Sequence, residues 1–352
     1  MSALAARLPR PRATLARSLL TVALLAVLLG LISTFISAYD DLRLAYGAYY
    51  FAVLVGLTML TGLSGQISLG HGALMAVGAY TVALLVGNEG WALMPALMAG
   101  VVVTALVGIP VGAAATRLRG PYLAGATLAF AVGLPALADK YPGTFGGENG
   151  LSINPPVAPS FLGGNFPLER WEAWVACAGA LVALFALLNL VRGGFGRRLR
   201  AVRDNEIAAA LCGLRVARVQ TLAFVISAAC AGLGGGLLAE VLQLAQPGAF
   251  PLQLSLSLLT GVVLGGLGSL AGAAWGAAAL VLLPNWTTDL AHSFSLPDKV
   301  SSNLPLAIYG LILIGAMLAW PYGIQGGLQA LVRRLRGGAA NTSDNQPARR
   351  TG

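Results

Sequence analysis

A polar, glycine-dense segment separates two apolar arms within residues 57–85. Its polar side chains are two hydroxyls, an amide and an imidazole, on Ser64, Ser68, Gln66 and His71. Lipid offers no hydrogen-bond partner to the backbone, so a non-helical segment persists at membrane depth only where protein buries it or a watery cavity lines it. The segment is therefore either a tight turn or part of a solute path. In the second case Gln66, Ser68 and His71 are the candidate lining residues.

A second polar segment, residues 192–218, contains a predicted short helix at 204–213. Asp204 is a suitable N-cap, Glu206 lies at the positive end of the helix dipole, and Gly213 fits the C′ position. One face of this helix is apolar and suits insertion into the groove of a partner; it carries Ile207, Ala210, Leu211 and Leu214. The residues alone are equally compatible with a surface helix in a basic loop.

The composition places both segments in a membrane protein. The chain has 352 residues, of which 57% are hydrophobic and 10% charged, whereas soluble domains carry roughly 25% charged residues. Long uncharged runs, such as residues 241–288, have no place in a soluble core of this size. We therefore predict an all-α polytopic membrane protein. Its three cysteines and two histidines lack metal-ligand spacing, so no metal site and no cofactor bound by this chain are expected.

Apolar runs of bilayer length predict about 10 (8–10) transmembrane helices. A basic N-terminus at 1–17 precedes a transmembrane domain at 18–325, and a polar tail at 326–352 is predicted to be disordered. The predicted spans are 18–38, two within 44–87, 91–115 (interrupted by Pro95 and Pro110), 122–138, 172–191, 219–244, 252–268, 270–290 and 304–320. Residues 252–268 are also compatible with a re-entrant loop.

The distribution of basic residues predicts the orientation. With the N-terminus in the cytoplasm, 18 of the 22 lysines and arginines fall in the predicted cytoplasmic segments and four fall outside. This positive-inside pattern accounts for the net charge of +9 without a nucleic-acid partner. It places both termini and the loop 192–218 in the cytoplasm, and the glycine- and proline-rich loop 139–170 on the outer side.

Glycines recur at four-residue spacing in the last third of the chain, which lets helix backbones approach closely in lipid. They are Gly261, Gly265, Gly268, Gly272 and Gly276. We interpret them as helix-packing residues rather than ligand-binding residues.

The sequence limits the source of energy for any transport. A phosphate-binding P-loop needs a Lys followed by Ser or Thr, and the two lysines, Lys140 and Lys299, precede Tyr141 and Val300. Any ATP hydrolysis must therefore belong to another chain, and the chain is not predicted to be an enzyme. Ionisable residues fall mostly at predicted span ends, which weakens a proton-relay interpretation. Glu240 and Asp289 are the nearest exceptions, and both lie near the predicted outer boundary.

An ordered set of motifs resembles the branched-chain amino-acid permeases of ABC importers, the LivM/LivH family, and LivM most. The motifs cover roughly residues 45–325 and are Gly62-x-x-Gly65-Gln66-x-Ser68-Leu69-Gly70-His71, Leu118-Arg119-Gly120-x-Tyr122, Gly146-Gly147-x-x-Gly150-Leu151, Arg203-x-Asn205-Glu206-x-Ala208-Ala209, Gly265-Gly266-x-Gly268-Ser269-Leu270-x-Gly272 and Pro321-x-Gly323. The Arg203 motif is similar to the loop that couples these permeases to their ATPases, although Ile207 displaces the second small residue of the general Glu-Ala-Ala pattern.

The resemblance implies a multi-pass subunit of the bacterial plasma (inner) membrane with the ABC importer permease fold. It implies a second homologous permease, two ATPase subunits that bind ATP with Mg, and an extracytoplasmic solute-binding protein. Arg203, Asp204, Asn205, Glu206 and Gly213 are the expected coupling residues. Branched-chain or other hydrophobic amino acids are the expected solute, with urea or short amides as an alternative. A stand-alone ion-coupled carrier or channel is the competing function, and a membrane scaffold is a more distant one.

Overall fold

In a computed structural model, the chain folds into a bundle of helices. The structure describes residues 11–117, 121–154, 158, 166–293, 308, 310–311, 314–315, 318 and 323–338. The helices of the described residues are α1 Pro11–Phe35, α2 Ala38–Thr58, α3 His71–Ala83, α4 Leu93–Arg117, α5 Pro121–Lys140, α6 Pro142–Phe145, α7 Leu168–Arg192, α8 Gly194–Asp204, α9 Glu206–Leu211, α10 Val216–Leu242, α11 Leu252–Gly265, α12 Gly272–Ser293 and α13 Gly323–Gly338.

Eight helical segments in the described part of the chain are long and apolar enough to cross a membrane. The prediction of eight to ten transmembrane helices is therefore confirmed. The last predicted span, 304–320, lies mostly outside the described residues. Of the predicted span 252–268, residues Leu252–Gly265 form the 14-residue helix α11, which ends where Gly266 adopts a φ of 115°.

Helix α10 forms the centre of the bundle and packs against α2, α3, α4 and α7. In the most apolar 18-residue stretch of α10, 72% of the residues are buried inside the protein. In the corresponding stretch of α1, at the periphery, 11% are buried. Glycines permit the closest contacts: a Cβ on Gly78 of α3 would overlap the backbone of Gly232 on α10. Because lipid gives little drive for helices to associate, such close packing of backbones contributes to holding the helices together.

Two short strands join the loops at one end of the bundle. Strand β1, Leu151–Ser152, pairs antiparallel with β2, Leu244–Ala245, and Leu151 lies opposite Ala245. This two-stranded ribbon links the loop after α5 to the loop after α10. The opposite end carries α8 and α9, between α7 and α10 along the chain. We call these the ribbon end and the α8–α9 end.

Two expectations about which residues are helical were wrong. Pro95 and Pro110 do not interrupt their span, because α4 runs without a break from Leu93 to Arg117. Pro95 lies in the first turn, where backbone N–H groups have no intrahelical partner. Residues 326–338, assigned to a disordered tail, belong to α13, and Gln325 of this helix accepts a 3.0 Å hydrogen bond from the indole of Trp275. Residues 339–352 lie outside the described residues.

Candidate functional site

The polar segment between α2 and α3 is a break inside the bundle. Helix α2 ends in a π-helical turn, Met59–Leu63, and α3 begins at His71. Residues 65–70 belong to no helix or strand, and burial alternates along the break: Ser64, Gln66 and Ser68 are buried while Gly65 and Ile67 are exposed. One face of the break therefore points into the protein, and the other, with Ile67 at 50% exposure, points outward.

His71 holds the break against the central helix. Its two ring nitrogens lie 3.0 Å from Ser68 Oγ and 2.7 Å from Ser227 Oγ, and all three side chains are fully buried. Ser227 lies near the middle of α10, so α3 begins at depth rather than at the surface of the bundle. Because both nitrogens already have partners, His71 and Ser68 are engaged in structural hydrogen bonds within this chain.

Gln66 differs from the other two predicted path residues. Its side chain is buried at 6% exposure, and neither its amide oxygen nor its amide nitrogen has a hydrogen-bond partner in the described part of the chain. The hydroxyls of Thr61 and Ser64, on either side of the start of the break, also lack partners there. A buried unpartnered polar atom destabilises a fold by about 1–3 kcal/mol. The start of the break is therefore polar, enclosed and unsatisfied.

Two hydroxyls on other helices accept hydrogen bonds from backbone N–H groups of the break and of the first turn of α3. Thr127 on α5 accepts from the Leu69 N–H at 3.0 Å, and Ser255 on α11 accepts from the Gly72 N–H at 3.0 Å. Gly72 is in the first turn of α3, whose N–H groups have no partner within the helix. Thr127 and Ser227 lie in further segments that resemble the permease family, Thr127-Leu128-Ala129-Phe130 and Ala223-Phe224-x-x-Ser227-Ala228, but no site role was predicted for them from the sequence. Ser255 was not predicted at all.

Arg203 connects the break to the α8–α9 end. Its guanidinium donates a hydrogen bond to the carbonyl oxygen of Gly62, and its Cγ would lie 3.4 Å from a Cβ placed on Gly65. The last carbonyls of a helix have no intrahelical donor, so Arg203 caps α2 from an element distant in sequence. Gly65 has a φ of 76°, a conformation that favours glycine.

Helix α9 is capped at both ends and exposes apolar side chains. The predicted N-cap was wrong by one residue: Asp204 ends α8, and Asn205 adopts the extended conformation that a cap requires. Asn205 Oδ1 accepts the Ala208 N–H at 3.0 Å, and Gly213 follows the helix with a φ of 82°. Ile207 and Leu211 are 75% and 85% exposed.

Glu206, the first residue of α9, joins that helix to the central one. Its carboxylate accepts a 2.8 Å hydrogen bond from the side-chain amide of Gln220 on α10. Gln220 and Ser227 are on the same helix, so the α8–α9 end reaches the break by two routes. One runs through Arg203 to Gly62, and the other runs along α10 to His71.

Four of the regularly spaced glycines lie where α11 meets α12, and Gly268 lies where the turn between these two helices meets the end of α2. A Cβ on Gly265 would overlap the backbone of Gly272, and one on Gly276 would overlap the backbone of Gly261. Gly268, with a φ of 84°, lies against the carbonyl of Gly62. The same carbonyl that accepts from Arg203 is therefore bordered by a glycine turn.

Two carboxylates are buried within spans toward the ribbon end. Glu240 is fully buried, and neither of its carboxylate oxygens has a hydrogen-bond partner in the described part of the chain. Glu172 on α7 is 3% exposed and accepts a 3.1 Å hydrogen bond from Gln243. Among the described residues there is no group of three or more His, Cys, Asp or Glu side chains that could hold a metal ion.

Comparison with known proteins identifies the family. A family profile described as "Branched-chain amino acid transport system / permease component" matches residues 41–319, most of the chain. The chain belongs to this family. Its members are transporter subunits rather than enzymes, and the apolar helices together with the family indicate a protein of the bacterial inner membrane.

Individual relatives agree with this assignment. The chain is 35% identical to the high-affinity branched-chain amino acid transport system permease protein LivM of Salmonella typhimurium over 246 residues, and equally identical to LivM of Escherichia coli over 249. Each alignment covers 62% of this chain and 57% of the relative, so the chain spans a little over half the length of the LivM proteins it matches. LivH of Escherichia coli is 25% identical over 80% of this chain and 92% of its own length. No solved structure matches the chain significantly.

Proposed function

We propose that this chain is the membrane-spanning subunit of a binding-protein-dependent ABC importer that moves branched-chain amino acids into the cytoplasm. One observation carries the proposal beyond family membership. A capped helix with two exposed apolar side chains, Ile207 and Leu211, lies in a basic loop whose Arg203 caps the broken helix α2. A docking helix joined to a broken span is the arrangement that a subunit driven by an external ATPase needs.

In the proposed mechanism, Ile207 and Leu211 insert into a groove of the ATPase. The ATPase subunit binds ATP with Mg and hydrolyses it. The resulting movement of α9 reaches the spans through the Arg203–Gly62 and Glu206–Gln220 hydrogen bonds. A coupling claim requires an element with two arrangements that both sites bias. The break is suited to this role because its buried face contains the unpartnered Gln66.

We assign different roles to the three residues predicted to line the solute path. Gln66 has amide atoms available to a solute or to the water that accompanies it. Ser68 and His71 support the backbone of the break, since their polar atoms bond to each other and to Ser227. The outward face of the break, which includes Ile67, would then face a path completed by a second subunit.

The partners of the chain follow from this function. We propose a second, homologous permease subunit, because relatives named LivM and LivH both match this chain. Of the two ATPase subunits, one would dock at the α8–α9 end of this chain and the other on the second permease, on the cytoplasmic side where both termini would also lie. A solute-binding protein would deliver the amino acid to the ribbon end, through the outer loop predicted at 139–170, which contains strand β1.

A different solute would leave these contacts unchanged. Urea or a short amide would also suit a path with few fixed charges, and the binding protein would select among them. The substrate is therefore tested by measuring uptake of labelled leucine, isoleucine and valine into vesicles that contain the complete complex. Uptake of labelled urea is measured in the same vesicles as the alternative. Uptake of urea but not of leucine would identify the alternative importer.

An ion-coupled carrier is a second candidate, and one observation favours it. Ionisable residues buried within membrane spans commonly mark ion or proton sites, and Glu240 is buried without a hydrogen-bond partner in the described part of the chain. A carrier would transport solute without nucleotide and without ATPase subunits.

Purification from native membranes distinguishes these functions. We expect the tagged chain to recover ATPase subunits and a second permease, and Ile207→Asp to lose the ATPase because a buried carboxylate opposes docking in an apolar groove. Ala201→Asp is the matched control, since Ala201 is exposed on the neighbouring helix α8. A chain that purifies alone and transports solute without ATP would replace the importer with the carrier.

A further inference from the structure

An apolar groove runs along the bundle between α1, α2, α7 and α12, away from the break. It encloses about 460 Å³, and its lining includes Leu29, Ala48, Ala180 and Ala277, one residue from each of these helices. The groove exists because α1 packs mainly on α7, whereas α12 packs mainly on α11 and α2. Small residues on α2, α7 and α12 keep the space between the larger side chains open. A second, smaller cavity of about 250 Å³ shares Leu29 and adjoins it.

Two charged residues lie at one end of this otherwise apolar groove. Asp40 and Arg43, in the first turns of α2, line its mouth and form a weak ion pair at 3.6 Å. The Arg43 side chain is 34% exposed, and one terminal nitrogen donates to the Tyr39 hydroxyl at 3.3 Å. A guanidinium has five N–H donors, so Arg43 keeps donors for a further acceptor. The mouth therefore presents a cation and an anion side by side at the end of a membrane helix.

We propose that this groove binds one phospholipid whose head group carries both a phosphate and an amine, as in phosphatidylethanolamine. An acyl chain would fill the groove along α2 from the mouth toward Phe51, where the lining is apolar. The phosphate would bond to Arg43 and the amine would pair with Asp40. The pair of opposite charges at the mouth matches such a zwitterionic head group better than an anionic one, since Asp40 repels additional negative charge.

Other occupants fit the groove less well. An amino acid or urea would place polar groups against an apolar wall without hydrogen-bond partners, which is unfavourable. A helix of another chain is about 10–12 Å across with its side chains, so even two turns of it would occupy more than the groove's volume of about 460 Å³. The volume lies instead within the range of about 300–1,000 Å³ that small-molecule sites occupy. This proposal is independent of the transported solute and of the energy source.

Native mass spectrometry of the detergent-purified chain tests the groove. We expect wild type to retain one phosphatidylethanolamine after delipidation, and Ala278→Phe, which fills the groove, to lose it. Ala279→Phe is the matched control, because the neighbouring Ala279 does not line the groove, and it should retain the lipid. If Ala278→Phe does not purify, Ala274→Phe at the exposed rim takes its place with Ala271→Phe as its control.

The head-group assignment is tested on folded protein by lipid exchange. Arg43→Gln should lose the retained lipid, and wild type should prefer phosphatidylethanolamine to phosphatidylglycerol in mixed micelles, a preference that Asp40→Asn removes. A wild-type chain without bound phospholipid overturns the proposal. Equal retention by the Phe variant and its control also overturns it, as does a bound mass that corresponds to an amino acid or to a second copy of the chain.

Discussion

The guanidinium of Arg203 donates a hydrogen bond to the carbonyl oxygen of Gly62, a residue 141 positions earlier in the chain. This contact joins the basic loop to the last turn of α2, where the π-helical segment Met59–Leu63 precedes the break. π-Helical turns are found frequently at functional sites. Arg203 therefore binds the end of the broken helix while belonging to the loop, and this hydrogen bond restricts the movement of the loop.

Arg203→Gln should uncouple ATP hydrolysis from transport in the complete complex. A hydrogen bond from a charged group contributes about 1.5–3 kcal/mol, so we expect uptake to fall by about ten- to a hundredfold while hydrolysis persists. Arg200→Gln is the matched control, since Arg200 on the same helix donates to the Val191 carbonyl at 3.1 Å and does not reach the break. Equal loss of uptake in both variants would show that only the charge of the loop matters.

Ser227→Ala should destabilise the fold more than it affects transport. It removes the 2.7 Å partner of a fully buried His71 nitrogen, and an unsatisfied buried group costs about 1–3 kcal/mol. Thermal unfolding in detergent should begin several degrees lower than in wild type. Thr221→Ala, on the same helix and outside this hydrogen bond, should unfold close to wild type. An unchanged melting temperature for Ser227→Ala would remove the structural role of His71.

Gln66→Leu should have the opposite signature, with greater stability and lower uptake. It replaces two unpartnered buried amide atoms by an apolar side chain of similar size, which relieves a desolvation penalty. Functional sites commonly trade stability for activity in this way. The comparison is Ser68→Ala, which loses a bond to His71 and should be less stable than wild type. Normal uptake by Gln66→Leu would exclude Gln66 from the solute path.

Pattern and composition predicted the spans and the break well. The length of apolar runs and the positions of charged residues are strong signals in a chain whose helices must cross lipid. The continuity of α4 through Pro110 was not predictable from proline content alone, since local adjustments and neighbouring helices re-satisfy backbone groups in a bundle. The hydrogen-bond partners of the break could not be predicted from the sequence. Thr127, Ser227 and Ser255 are hydroxyl residues in apolar spans, and only the fold brings them to residues 69–72. The N-cap at Asn205 rather than Asp204 depended on where α8 ends.

Gly276→Leu should prevent the close packing of α11 and α12. A side chain at Gly276 would overlap the backbone of Gly261, and overpacking costs about 1–3 kcal/mol or more when the backbone has to shift. We expect reduced yield of folded protein and aggregation on size-exclusion chromatography. Gly133→Leu on α5 is the matched control, because no atom lies within 4 Å of the added Cβ there. Normal yield from Gly276→Leu would show that α11 and α12 tolerate a wider separation.

Glu240→Gln separates the importer from the carrier. If ATP hydrolysis supplies the energy, Glu240 is a buried side chain near the ribbon end with no part in energy coupling, and the isosteric amide should leave ATP-driven uptake within about twofold of wild type. If an ion gradient supplies the energy, loss of the carboxyl should abolish uptake, since the amide can neither carry a proton nor neutralise the charge of a cation. Uptake into vesicles with internal ATP, and with or without an imposed proton gradient, measures both cases. Glu172→Gln, which retains an acceptor for Gln243, shows whether an effect is specific to Glu240. Uptake that survives without ATP and fails in Glu240→Gln would overturn the importer and place the driving force in this chain.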